Sequence, residues 1–208
     1  MDDDNYLQEN NILKDIYKED ISIFEKDKNI GAIKYSNDFD DKNSKKYVYI
    51  NGLVTCGVLI KKEIFYKVGY FNESMNVYSE DSDLGIRIIK KGYDIILNNI
   101  VKIEHRESTE NPEIRKREFR LYQSSRNWTL TILLNFNLFL FFIFTIKFFL
   151  INPFIYKRMY NINILKIYKI ITKSYGDGIK MGLKQKREPM SFKRRVYRQY
   201  LIKKKCFD

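Results

Sequence analysis
The chain has 208 residues, of which 31% are charged, 44% hydrophobic and 15% aromatic, enough apolar material for a core and too much for wholesale disorder. Three prolines, nine glycines and two distant cysteines exclude a collagen-like, low-complexity or disulfide-built architecture, and the thiols fit a reducing compartment. The charge is unevenly placed. From Lys157 onward sixteen basic and three acidic residues give +13, whereas residues 1–156 carry 22 basic and 23 acidic residues. A nearly neutral body with a cationic tail points to a polyanionic partner for the tail, either nucleic acid or anionic lipid. The opening Met1-Asp2-Asp3-Asp4 has none of the basic and apolar character of a signal peptide.

In chain order, apolar Leu13, Ile16 and Tyr17 recur at helical spacing, which predicts an amphipathic helix over roughly 5–26. A short strand is expected over 31–35. A polar loop follows over 36–46, where Lys42 at a ligand position and the lack of a following glycine exclude a calcium loop. Strands are expected at 47–50 and 53–60, broken by Asn51-Gly52, and a short helix over 61–68 should stop at Gly69. The next helix should be capped by Ser79, run to Lys91 and end at Gly92, with Asp83 and Arg87 at ion-pair spacing. Strands at 93–97 and 100–104 lead to His105, and an Arg-rich helix should run from Pro112 to about Asn127. Alternating strands and helices define an α/β layer.

Residues 128–146 contain no charge, and 19 residues approach the roughly 20 needed to span a bilayer. Asn135 and Asn137 lie within the run, and basic residues flank it on both sides, so the asymmetry expected of a span is small. A helix lying in the membrane interface, or a hairpin bent near Pro153, keeps the chain on one anionic face. A buried core helix is the other option. Phe, Leu and Ile on every side of the run, next to a polybasic tail, favour lipid over both the core helix and nucleic acid.

Three features carry potential chemistry. Asp2, Asp3 and Asp4 place carboxylates one residue apart, a spacing that suits a hard divalent cation, although an acidic terminus is more often a solvated tail. The run Ser79-Glu80-Asp81-Ser82-Asp83 puts acids in a helix's first turn, where the helix dipole alone would favour them. His105, the only histidine, ends a strand; an imidazole there is more often structural, but it is also a common metal ligand.

Taken in order, the acidic triplet, Gly57 to Glu73 (GVLIKKEIFYKVGYFNE), Glu80 to Arg87 (EDSDLGIR), Lys91 to Ile95 (KGYDI) and His105 resemble family 2 glycosyltransferases of the GT-A fold, nearest the rhamnosyl- and galactofuranosyltransferase-like branch. The likeness runs from Asp2 to the Arg126-Asn127 pair, with a looser match at Ser174-Tyr175-Gly176-Asp177-Gly178. It implies that two of Asp2, Asp3 and Asp4, taken as Asp2 and Asp4, hold Mn²⁺ or Mg²⁺ against the diphosphate of a nucleotide-sugar donor, with His105 as a further ligand. It also implies Asp81 as the general base toward a polysaccharide or lipid-linked glycan acceptor, with Glu80 assisting. Gly57, Tyr78 and Ser79 would border the acceptor pocket. Asn72 departs from the acid usual at its position in this family.

The chain starts at the acidic triplet, whereas family members place a nucleotide-binding βαβ half before it. The expected architecture is therefore a partial GT-A fold followed by membrane-associated helices: residues 1–127 as the acceptor-side half, 128–156 as a hydrophobic helical segment and 157–208 as a basic helical tail. Such a chain would be a truncated gene product, the product of a split gene whose partner polypeptide supplies the other half, or an excised piece, and the cytoplasmic face of the cell membrane is the expected location. The rival expectation is a catalytically inactive remnant that docks on membranes or on a partner enzyme.

Overall fold
The computed structural model describes residues 5–7, 12–36, 45–55, 57–105, 114–191 and 193–195, with backbone alone at 5–7, 12–16, 104, 105, 114 and 115. Strands β1 (Asn5–Leu7), β2 (Ile30–Ser36), β3 (Tyr47–Ile50), β4 (Val58–Ile60) and β5 (Asp94–His105) form one mixed sheet. Helices α1 (Ile12–Lys26), α2 (Lys62–Val68) and α3 (Glu80–Lys90) lie between the strands in sequence. Four helices follow: α4 (Ile114–Asn135), α5 (Leu138–Leu150), α6 (Asn152–Tyr160) and α7 (Ile164–Gly182). The α/β class expected from the sequence holds.

The chain folds as two compact units. One takes Met1–Tyr70, Leu84–Thr109 and Ser191–Asp208; the other takes Phe71–Asp83 and Glu110–Met190. These divisions differ from those expected at 127/128 and 156/157. Helix α4 runs unbroken through the first, and a short segment ahead of α3 belongs with the C-terminal helices.

In the sheet unit, the strand order is β1-β5-β2-β4, with β3 also on β5. The β2–β5 pair is parallel and the other pairs are antiparallel. Ile30, Ile33, Tyr47 and Ile96 make a buried cluster against Ile23 and Phe24 of α1, so the helix's apolar stripe finds the sheet. Asp20 on α1 is fully buried, and its carboxylate accepts hydrogen bonds from Tyr47 Oη (2.9 Å) and Asn98 Nδ2 (3.2 Å). Burial pushes its pKa above the ordinary carboxylate value, and the tyrosine and asparagine donors offset part of that rise.

Several elements differ from the sequence expectations. The first helix starts at Ile12 rather than near Asn5, because Asn5–Leu7 pair with Ile103–His105 as a strand. The strand expected over 53–60 shrinks to Val58–Ile60. Gly57 has φ +67°, and a Cβ there would fall 1.7 Å from Ile103 Cδ1, so the chain bends tightly at that point. The two strands expected at 93–97 and 100–104 are the single β5. Asn98 and Asn99 resemble turn residues in sequence, but Asn98 bonds Asp20 and Asn99 Nδ2 donates to Lys45 O (2.8 Å), so both are satisfied within the strand. Helix α2 stops at Gly69 as expected, with φ +84°.

In the helical unit, α4 and α7 pack closely. Ser174, Gly178 and Gly182 form a buried stripe at four-residue spacing on α7. A Cβ on Gly178 would meet Arg126 O at 2.6 Å, so the small residues set the approach of the two helices. Helix α4 absorbs the first part of the uncharged run, and Leu130, Ile132, Leu133 and Leu134 are buried. That portion is a core helix. The run breaks at Asn137, whose side chain accepts from Leu140 N (2.9 Å) and caps α5. Arg187 from the basic tail closes the other side of this break, donating to Leu133 O (2.7 Å) and Phe136 O (3.0 Å) at the C-terminal end of α4.

Candidate functional site
The acid pair Glu80-Asp81 opens α3, and the segment leading into it is unusual. A 3₁₀ turn at Glu73–Met75 is capped by Asn72, whose Oδ1 accepts from Ser74 N (3.2 Å) and Ser74 Oγ (2.7 Å). Asn72 Nδ2 also donates to Gln185 Oε1 (3.0 Å), so the amide at this position links the turn to the segment after α7. A carboxylate there could not donate that bond. Met75 then drops into a buried cluster with Leu130 and Leu134 of α4.

The next four residues carry strain. Asn76, Tyr78 and Ser79 have φ of +57°, +66° and +67°. Asn76, with ψ −70°, centres a γ-turn closed by Val77 N donating to Met75 O (2.7 Å), and a positive φ costs a non-glycine residue about 1–2 kcal/mol. Two neighbouring residues of α4 hold the segment in place. Asn127, fully buried, directs Nδ2 to Met75 O (2.8 Å), Val77 O (2.8 Å) and Tyr78 O (2.6 Å). Arg126 donates from Nη2 to Met75 O (3.1 Å) and from Nε and Nη2 to Asn127 Oδ1 (3.0 and 2.9 Å), which fixes the amide's orientation. The sequence marked this pair only as part of a resemblance; the geometry gives it a job. The guanidinium of Arg120 lies 5.4 Å from the Tyr78 ring centroid, a cation–π contact beside the same turn.

The helix start then presents its acids differently. Ser79 was expected to cap α3 through its side chain. Its carbonyl accepts from Asp83 N (3.0 Å), the first bond of the helix. Asp81 Oδ1 accepts from Ser82 N (2.6 Å) and Ser82 Oγ (3.3 Å), and the residue stays half-buried at the surface. Glu80 is also half-buried, with Oε2 shielded from solvent. Asp83 is buried and accepts from Asn135 Nδ2 (2.9 Å). Arg87, read from the sequence only as an ion-pair partner, also ties its helix to the preceding loop: its guanidinium donates to Val68 O (2.5 Å) and Tyr70 O (2.6 Å). Chemically, Asp81 is the acid of this run with both surface access and a fixed rotamer, as a proton acceptor needs.

The remaining candidate residues belong to the sheet unit. Asp2, Asp3 and Asp4 lie outside the described residues, and so does the side chain of His105. The backbone register nevertheless pairs Asn5 with His105 across β1 and β5, so the residue following Asp4 sits opposite the histidine. Directly opposed residues on antiparallel strands have Cα atoms about 4.5–5.5 Å apart. Carboxylate oxygens together with an imidazole nitrogen form a donor set that suits Mn²⁺ and is acceptable to Mg²⁺. Among the described residues no group of three acidic, His or Cys side chains could hold a metal ion. Gly57, expected at an acceptor pocket, packs against Ile103 and Tyr35, and its carbonyl accepts from Tyr35 N (2.9 Å).

One polar cluster escaped the sequence reading altogether. Asp20, Tyr35, Tyr47 and Asn98 meet within the sheet unit, and burial beside Asp20 drives both tyrosine hydroxyls far above their ordinary pKa. All four side chains are buried, which suits structural satisfaction rather than contact with a substrate. Neither a family model, a curated protein nor a solved structure matches this chain.

Proposed function
We propose that the chain carries the acceptor-side elements of a metal-dependent glycosyltransferase of family 2 type, acting on a nucleotide-activated sugar and a glycan or lipid-linked acceptor. The observation that carries this reading is the clamped turn ahead of α3. Three residues with positive φ, in a segment held by Arg126 and Asn127, deliver Asp81 and Glu80 to a helix start. Backbone strain held in place by dedicated side chains is characteristic of functional sites, and it is unnecessary for a helix that merely needs an acidic first turn.

In this reading the Asp81 carboxylate takes the proton of the acceptor hydroxyl. The acceptor oxygen forms a bond to the anomeric carbon, the bond from that carbon to the diphosphate oxygen breaks, and the nucleoside diphosphate departs with inversion. Glu80 and Tyr78 would position the acceptor, and Arg120 beside Tyr78 would bring positive charge to that side of the turn. Asp2, Asp4 and His105 would hold the divalent ion, which when bound supplies charge neutralisation at the leaving diphosphate.

The test is genetic and uses the chain in its source organism. Deleting the gene in the source organism should change its surface glycans, and wild-type chain should restore them. Asp81→Asn should not, because a positioned base contributes about 10²–10⁴-fold. Full restoration by Asp81→Asn would refute the catalytic reading and leave a non-catalytic docking protein.

A further inference from the structure
Helix α5 is hydrophobic on every side, yet only one side is covered. Phe148 is fully buried among Leu121, Ile167 and Ile171, and it packs on Tyr175 with ring centroids 5.8 Å apart. On the opposite side Leu138, Phe139, Phe142, Ile143, Ile146 and Leu150 form a single stripe at three- and four-residue spacing, with 46–70% of each residue exposed. The stripe continues past the break at Ile151. There Phe154, Ile155 and Met159 on α6 are 45–65% exposed. Together these side chains offer roughly 1,000 Å² of apolar surface, where a soluble monomer's largest patch is about 300–600 Å².

The surroundings of this patch are cationic. From Leu138 to Met190 the chain has ten basic and two acidic residues. Lys147 is exposed on α5 among the stripe residues, and Lys157 and Arg158 are exposed on α6 beside Phe154, Ile155 and Met159. A protein partner or second copy covering so apolar a face would have to accommodate this one-signed rim. An anionic bilayer matches both parts, with acyl chains for the aromatic stripe and headgroup charge for the rim.

Length decides between lying and spanning. No single helix is long and apolar enough to cross a membrane, and α5 and α6 are bent by 50° at their junction. Thirteen residues of α5 extend about 20 Å, against a hydrocarbon core of about 30 Å. Helices that pack on α4 and α7 along one side also keep that side out of lipid.

We infer that the outer face of α5 and α6 is a monotopic docking surface for an anionic lipid bilayer, the helices lying in the interface with the Phe139–Phe142 side inserted. This surface belongs wholly to the helical unit and stands independently of the catalytic proposal.

The test is flotation of the full chain with phosphatidylcholine vesicles, with and without phosphatidylglycerol. Binding should require the anionic lipid and weaken as salt is raised. Replacing Phe139 and Phe142 together by Ser should lower partitioning at least about tenfold. Replacing Lys157 and Arg158 together by Ala should lower it about 25-fold. Circular dichroism checks that the variants fold. If the serine pair fails to fold, Phe142→Trp in a Trp128→Phe background reports the same contact, and its fluorescence should be quenched by lipids brominated near the headgroup. Three results would overturn the inference: no flotation of the wild-type chain, flotation indifferent to both pairs of substitutions, or a soluble dimer that covers the Phe142→Trp reporter without vesicles. Quenching strongest at the bilayer centre would replace docking by a bent span.

Discussion

Asn127→Ala is the sharpest test of how the acidic turn is held. The amide nitrogen of Asn127 is fully buried and lies 2.6–2.8 Å from three backbone carbonyls. It has two hydrogens, so truncation removes the equivalent of two good bonds and leaves buried carbonyls without them. Each such loss costs about 1–3 kcal/mol. Arg126 also loses the Oδ1 that accepts from its Nε and Nη2. Water entering the small space would recover part of this, and a net cost of about 4 kcal/mol follows. For a chain of this length each kcal/mol lowers Tm by about 2–4 °C, so the variant should melt roughly 8–16 °C below wild type. Asn127→Asp should be worse, because one carboxylate oxygen would face the three carbonyls that the amide nitrogen now serves. Thermal melts by circular dichroism read both. A shift below about 2 °C in Asn127→Ala would mean that the positive-φ backbone at Asn76, Tyr78 and Ser79 needs no clamp, and the argument linking strain to function would fall.

Other expectations follow from particular contacts. Arg194 Nη2 donates to Asp94 Oδ1 (2.7 Å) and Tyr93 O (2.7 Å), while Nε reaches Ile89 O (3.1 Å) near the end of α3. Asp94 is buried, so Arg194→Ala should cost about 3–5 kcal/mol in urea denaturation. Gly57→Ala combines a left-handed φ with a Cβ 1.7 Å from Ile103 Cδ1 and should yield little soluble protein. Gly178→Ala should separate α4 from α7, since backbone Arg126 O has nowhere to retreat, and its melt should be broadened as well as lowered. Asp20 gives a pH signature. Its folded pKa is raised by burial, so the folded state binds the proton more tightly than the unfolded chain. Its contribution to stability is therefore full below the ordinary carboxylate pKa and is lost as pH rises through the folded value. Asp20→Asn should flatten that part of the stability–pH profile; an unchanged slope would exclude Asp20 as its source.

The sequence made the α/β alternation legible, because hydrophobic periodicity and glycine stops are local signals. Gly69 and Gly92 mark helix ends through positive φ, which only glycine adopts without cost. What escaped was decided by long-range partners. Asn98-Asn99 reads as a turn until Asp20 and Lys45 O, distant in sequence, satisfy its amides within a strand. Asn5–Leu7 reads as helix until β5 offers an edge. The uncharged run is uniform in composition and yet divides at Asn135–Asn137, because Asn135 bonds Asp83 while Asn137 caps the next helix. At the site, the acid pair was visible as a motif. The three positive-φ residues before it were not, since Tyr78 and Ser79 have no intrinsic preference for that backbone and the carbonyl of Tyr78 is held by Asn127, distant in sequence.

This division of the uncharged run bears on how the two proposals fit together. Its first part is core helix, and Leu130 and Leu134 there bury Met75 just ahead of the acidic turn. Its second part turns Phe139 and Phe142 outward. The acid pair and the apolar face therefore belong to one compact unit, without a flexible linker dividing them into separate modules. A base carried by a unit that docks on lipid meets an acceptor confined to the same surface far more often than one dissolved in bulk, because tethering raises effective concentration without any new contact. The two proposals together thus favour the lipid-linked acceptor over a free polysaccharide. Transfer to a lipid-linked acceptor in anionic vesicles should fall at least about tenfold when Phe139 and Phe142 are replaced by Ser. Transfer to a detergent-dispersed acceptor should be unchanged. An equal loss on both would show that the aromatic stripe supports the fold of the site rather than its meeting with the substrate.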